Sequence, residues 1–313
     1  VAPIQFDLKV DSQNATWNEI REAAIVADGL QFGTFWNWDH LLPIFGDMDG
    51  ENHESYTNLA AFAAITKRIR LGSHVTGVMY RNPALQIKMA TQLDVISNGR
   101  LDWGVGAAWA VREFRAFHID FPEPKVRIQT LRETLDLAKL LWSADPRKKV
   151  TYEGTYVKAY DLFLNPQAVQ RPYPPIFIGG GGEQLTLRVV ARHADIWHGF
   201  GDIPTLKRKM GLIDTYAADY GRDGRSIVKS CDAVIWVGDA SDSVLRQLAA
   251  HRGVSLDEAR GSIIQGTPAK IERRLREYVD AGITRFIVNA GRPDFADNWR
   301  RISDEIIPRF TNG

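Results

Sequence analysis

Two short stretches hold residue types that can do chemistry. In "WNWDHLLP", Asp39 and His40 follow an aromatic, strand-like run. A histidine exchanges a proton near neutral pH, and an adjacent carboxylate can bond to a ligand, so the pair suits acid–base work. In "IFIGGGGEQLTLRVV", Gly179, Gly180, Gly181 and Gly182 separate an apolar run from a helix-like pattern. Bare backbone permits φ > 0 and close approach of another group, and free N–H groups at a helix start favour an anion. A phosphate seat and a plain βα turn both fit this run. A P-loop does not, because no Gly-Lys-Ser/Thr follows. In "GVGAAW", Trp109 stands where a dinucleotide fingerprint needs its third glycine, which excludes a Rossmann site. Gly106, Ala107 and Ala108 leave room there for a flat ligand, or equally for plain packing.

Other chemistries find little support. His193, Asp195 and His198 could in principle ligate a metal, but no HExxH or similarly tight pattern occurs, and no metal is expected. Cys231 is the single cysteine, so an internal disulfide is impossible, and its mid-strand place implies a buried, inert thiol. There is no GxSxG elbow. A formal net charge of +1 gives no basic footprint for nucleic acid. No apolar run is long enough to span a bilayer, and "VAPIQFDLKVDSQ" has no signal-peptide pattern, so a soluble cytoplasmic protein is expected.

These residues need a frame. Strand-like runs at 4–10, 32–38, 69–78, 100–106, 175–178, 194–200, 227–237 and 284–290 alternate with amphipathic helical patterns. Thr16 with Glu19 forms a capping-box signature, and Asn82-Pro83 another helix start. "VTYEGTYVKAYDLFLNP" reads as a β-hairpin insertion. About eight βα units without a linker predict one domain over 1–313, an α/β fold of the (β/α)8 TIM-barrel type. Its insertions at 41–55, 107–125 and 150–166 lie beside or after strands, on the side where barrel active sites form.

Taken together, "WDHLLP", "RIRLGSHVTGVMYRNPALQIKMATQLDVISNGRLDWGVGAAW", "REFRAFHIDFP" and "PIFIGGGGEQLTLRVVARHADIW" resemble the luciferase-like family of flavin- and deazaflavin-dependent oxidoreductases, most of all its coenzyme F420-dependent branch. The resemblance implies hydride transfer between F420 and a small organic substrate. His40 would be proton donor or acceptor, and Asp39 a hydrogen-bond partner of the ring. His74, Val75 and Thr76 would form a bulge against the ring, with a non-prolyl cis bond between His74 and Val75. Gly106, Ala107 and Ala108 would line the cofactor edge, and Gly179 to Gly182 would receive its phosphate. Trp38, Trp109 and Phe114, with Trp36, suggest an apolar substrate pocket. Some sugar-phosphate dehydrogenases of the family carry a glutamate where Trp109 aligns. The alternatives are an FMN-dependent monooxygenase, which needs O2 and a flavin reductase partner, and a non-catalytic flavin-binding protein. A homodimer is implied by analogy, through the alanine-rich helix at 56–66.

Overall fold

The computed structural model describes residues 3–291 and 295–311. In chain order its elements open with β1 (Gln5–Val10), α1 (Trp17–Asp28), β2 (Thr34–Asn37), α2 (Ser55–Ile65), β3 (Arg70–Ser73), β4 (Thr76–Gly77), α3 (Pro83–Ile96) and β5 (Leu101–Gly106). Next come α4 (Val111–Ala116), α5 (Pro124–Ser143), β6 (Val150–Glu153), β7 (Lys158–Leu162), β8 (Ile176–Gly179), α6 (Thr186–His193), β9 (Ile196–Gly199) and α7 (Ile203–Asp219). The last part holds β10 (Val228–Ala233), β11 (Ile235–Val237), α8 (Asp242–Arg252), α9 (Leu256–Ser262), β12 (Ile264–Gly266), α10 (Pro268–Asp280), β13 (Arg285–Gly291), α11 (Ala296–Arg301) and α12 (Pro308–Thr311).

Eight parallel positions close a barrel. Neighbours run β3-β2-β1-β13-β10-β9-β8-β5, and β5 pairs back with β3 through Leu71–Leu101 and Gly72–Asp102. β4 continues β3 after an interruption at the His74–Val75 bond, which is cis, and pairs with β5 through Thr76–Val105. The barrel, its order and the antiparallel β6–β7 hairpin match the pattern expected from sequence.

Helix starts follow local chemistry. Thr16 accepts from the Glu19 N–H while Glu19 reaches back to the Thr16 N–H, and Asn82 accepts from the Ala84 and Leu85 N–H groups. Apolar helix faces then cover the barrel wall. Within the barrel, Trp36, Phe177, Ile196 and Ile287 fill the interior, with Val75 and Val228 against them. Below this layer lies a buried polar plug. Arg285 donates to Asp7 at 2.6 Å, to Asp102 at 2.6 Å and to Thr34 at 2.8 Å, and Arg70 donates to Asp102 from the other side. Burial alone would raise Asp102, but Arg285 and Arg70 outweigh it and hold the carboxylate below its usual range.

Two expectations change. The connection at 107–125 contains a short helix, α4. The run at 227–237 is two strands: β10 stays in the barrel while β11 turns out to pair with β12. Beyond β10 the chain forms three separate helices, α8, α9 and α10, the last capped by Thr267. Gly253, after α8, faces the Phe45 ring so closely that a Cβ would meet it at 2.4 Å, so the 242–266 excursion packs on the loop after β2.

Candidate active site

The C-terminal ends of the barrel strands surround a cavity of about 460 Å³. Its walls include Trp38 and His40 after β2, Val75 and Gly77 around the β3–β4 break, Gly106 to Trp109 after β5, Gly179 and Gly180 after β8, and Phe200 after β9. Lys9, Asp11, His74, Asp232 and Asn289 supply its polar groups. Trp109 is 61% exposed and stands at the rim.

His40 is held from behind. Its Nδ1 lies 2.9 Å from Glu113 Oε2, and its ring makes edge contacts with Trp38 and Trp109 at 5.0 and 5.6 Å between centroids. Glu113 is fully buried on α4 and also accepts from Tyr80 Oη at 2.6 Å and from the backbone N–H groups of Leu41 and Leu42. Burial would raise Glu113, but His40, Tyr80 and the Leu42 N–H together bring it below its ordinary value. An ionised carboxylate only accepts, so Nδ1 of His40 carries the hydrogen and Nε2 is the nitrogen left for a ligand. Tyr80, pushed up by burial and by Glu113, stays a phenol and donates.

Asp39 behaves differently from its neighbour. Its carboxylate is buried and does not line the cavity; Arg81 takes both oxygens, at 2.6 and 3.0 Å. Burial pushes the acid up and Arg81 opposes it. Arg81 is tied in turn to Glu54, the residue that caps α2. Thr76 is also buried behind the wall, with its hydroxyl near Tyr56 at 3.5 Å. Phe114 stacks on Tyr80 at 4.9 Å behind the cavity rather than lining it.

The small residues act by leaving room. A Cβ on Gly106 would meet Val75 at 2.9 Å, and one on Gly179 would meet it at 3.2 Å, so Val75 sits between two bare backbones. Ala108 takes φ +61° at the turn out of β5. Gly180 adopts φ +142°, a conformation side chains avoid, and a Cβ there would press on Thr186 at 2.9 Å. Beyond it, Lys209 Nζ of α7 lies 2.5 Å from where a Gly181 Cβ would be. Gly181 and Gly182 donate to no backbone carbonyl among the described residues. A turn then separates the glycines from α6, which starts at Thr186 rather than at Glu183. The loop thus offers open N–H groups beside one ammonium, without a helix N-terminus directly at hand.

His193, Asp195 and His198 do not come together. His193 sits near Asp136 at 3.5 Å, pushed down to about 2 by burial and nearby cations, and Asp195 accepts from the Ile176 N–H. His198 instead faces His74 and Asp232. Cys231 is buried, as expected, and its thiol is pushed up by burial.

Glu113, Tyr80 and Lys209 are the residues sequence reasoning missed. Glu113 lay in "REF", inside a stretch read as a loop; its signal was one helical turn of α4 that places it under His40. Lys209 lies on a helix pattern that gave no reason to connect it with the glycines.

Comparison with known proteins follows the same lines. The sequence model of the family described as luciferase-like monooxygenase matches residues 1–294. The F420-dependent glucose-6-phosphate dehydrogenase of Amycolatopsis mediterranei is 30% identical, over an alignment covering 98% of each chain. The protein of the same name from Microbacterium testaceum is 25% identical, again covering 98% of each. Among solved structures, the coenzyme F420-dependent tetrahydromethanopterin reductase of Methanopyrus kandleri superposes with a TM-score of 0.81, covering 99% of this chain and 100% of that one, at 20% identity, a likeness of fold. A match running from the first strand to the last barrel strand, on a barrel with this site at its mouth, makes the chain a member of the luciferase-like monooxygenase family.

Proposed function

We propose that the chain is a coenzyme F420-dependent oxidoreductase that moves a hydride between the deazaflavin and an organic substrate, with His40 handling the accompanying proton. The observation that carries this reading is the His40–Glu113 pair, set at the wall of a cavity that is also lined by Val75, flanked by Gly106 and Gly179. The full-length relatives named F420-dependent support the choice of cofactor. When bound, F420 supplies the hydride-carrying ring carbon. The residues present fit such a group: bare backbone at Gly106 and Gly179 admits a flat ring, and Gly181, Gly182 and Lys209 suit a phosphate.

In this reading Glu113 fixes the tautomer and aim of His40. Neutral His40 takes a proton at Nε2 from a substrate hydroxyl in the oxidative direction and returns it to a carbonyl oxygen in the reductive one. Trp38, Phe45, Trp109 and Phe200 exclude water and bind the substrate's apolar body. An aromatic ring at Trp109, in place of the acid found in some sugar-phosphate dehydrogenases, favours a hydrophobic or aromatic substrate over a sugar phosphate.

The test is His40→Ala in the intact protein. Turnover should fall by roughly 10²–10⁴-fold, the usual contribution of a general acid–base group, while F420 affinity stays within a few-fold. Unchanged turnover would remove the role assigned to His40.

A further inference from the structure

On the floor of the cavity three side chains from three different strand ends converge: His74 after β3, His198 on β9 and Asp232 on β10. Each offers one ligand atom, and these atoms all lie within 4.8 Å of one another. His74 and Asp232 line the cavity, while His198 lies fully buried beside them. The two imidazoles meet edge to face at 4.4 Å between centroids.

The hydrogen-bond network fixes what His198 presents. Ser230 Oγ donates its single hydrogen to the Trp197 carbonyl at 3.0 Å. At its 3.1 Å contact with His198 Nδ1 the hydroxyl therefore accepts, so Nδ1 carries the hydrogen. That leaves Nε2 as the nitrogen that faces Asp232 Oδ1, 3.7 Å away. His198 Nε2, His74 Nε2 and Asp232 Oδ1 are all buried without a hydrogen-bond partner. A buried imidazole nitrogen and a buried carboxylate oxygen that face each other without partners suit a cation between them, a metal ion or a proton. A histidine whose other nitrogen is anchored to an oxygen is also how metal-binding imidazoles are oriented.

We propose that His74, His198 and Asp232 bind a divalent transition metal, with its open positions facing the cavity. Two imidazoles and one carboxylate suit Zn²⁺, Co²⁺ or Fe²⁺. Ligand bonds of about 2.0–2.2 Å would draw the three donor atoms closer together. Resting on the oxidoreductase reading, the metal would hold the substrate oxygen as a Lewis acid.

The experiment titrates the metal-stripped, full-length protein with Co²⁺, followed by visible absorption, and with Zn²⁺ in competition. The expected result is one Co²⁺ per chain, with d–d bands displaced by Zn²⁺. Asp232→Asn and His198→Gln should abolish the bands with the far-UV circular dichroism unchanged. Ser230→Ala should weaken binding about 10–100-fold, as expected when an orienting hydrogen bond is lost. His40→Ala should leave metal affinity unaltered. Absence of stoichiometric Co²⁺ binding in the parent protein would overturn the proposal and assign the cluster to a shared proton. So would bands that persist in both ligand variants. F420 binding to the metal-free protein is read separately, so failure of the metal site and failure of the cofactor reading give different results.

Discussion

At the scale of single residues, the site separates two adjacent titratable groups into different jobs. His40 faces the cavity with Nε2 open, whereas Asp39, next in the chain, is locked by Arg81 behind the wall. Glu113 makes the difference, because it aims His40 without touching the cavity itself. Glu113→Gln keeps the shape but can offer its NH2 group to Nδ1 and so release the ring into the other tautomer. Turnover should drop by about 10–100-fold, a part of the full acid–base contribution, with little change in cofactor affinity. Steady-state kinetics beside a binding titration would show this split; equal loss in both would mean that Glu113 only supports the fold. The sequence made Asp39 and His40 visible as a pair because both types are chemically loud. It could not reveal that Arg81, 42 residues on, neutralises one of them, since that pairing exists only after β2 and the loop before α3 meet.

At the scale of elements, the loop after β8 decides whether an anion can settle. Gly180 is held at φ +142° with Thr186 behind it. Gly180→Val should strain the turn by about 1–3 kcal/mol and close the seat, giving a folded barrel that has lost F420. Circular dichroism and fluorescence quenching of F420 check the two halves of that statement. Lys209→Ala should weaken F420 while leaving the turn intact, because its ammonium beside Gly181 is the cation that the loop itself lacks. The glycine run was legible from its composition alone as a turn of bare backbone after a strand. The lysine was not, because α7 approaches the loop only through tertiary packing. The α4 turn was hidden for a related reason: six residues carry too little periodicity to stand out inside a long connection.

At the scale of the molecule, the barrel is pinned from below by charge as well as by apolar burial. Arg285 of β13 spans the interior to Asp7 of β1 and Asp102 of β5. Removing it as Arg285→Met would leave buried Asp7 without its cation and Asp102 with Arg70 alone, and should cost about 3–5 kcal/mol in denaturant unfolding. The pH dependence follows from the sign of the Asp102 shift. Its folded carboxyl is depressed, so its contribution is complete above the unfolded value of about 3.9 and fades as pH falls through the folded value. Stability should therefore decline below about pH 4, and Asp102→Asn should be weaker at neutral pH with a flatter acid slope. The barrel class was readable because eight strand–helix repeats leave few alternatives. The plug was not, because Asp7 and Asp102 lie 278 and 183 residues from Arg285 in the chain, with no local sign that they meet.

The claim on which the account turns is the identity of the cofactor. Side-by-side titration of the cofactor-free protein with F420 and FMN tests it most directly. The expected result is one F420 per chain with quenched F420 fluorescence, and FMN binding at least tenfold weaker, a difference of about 1.4 kcal/mol. Tight FMN binding with no uptake of F420 would contradict it.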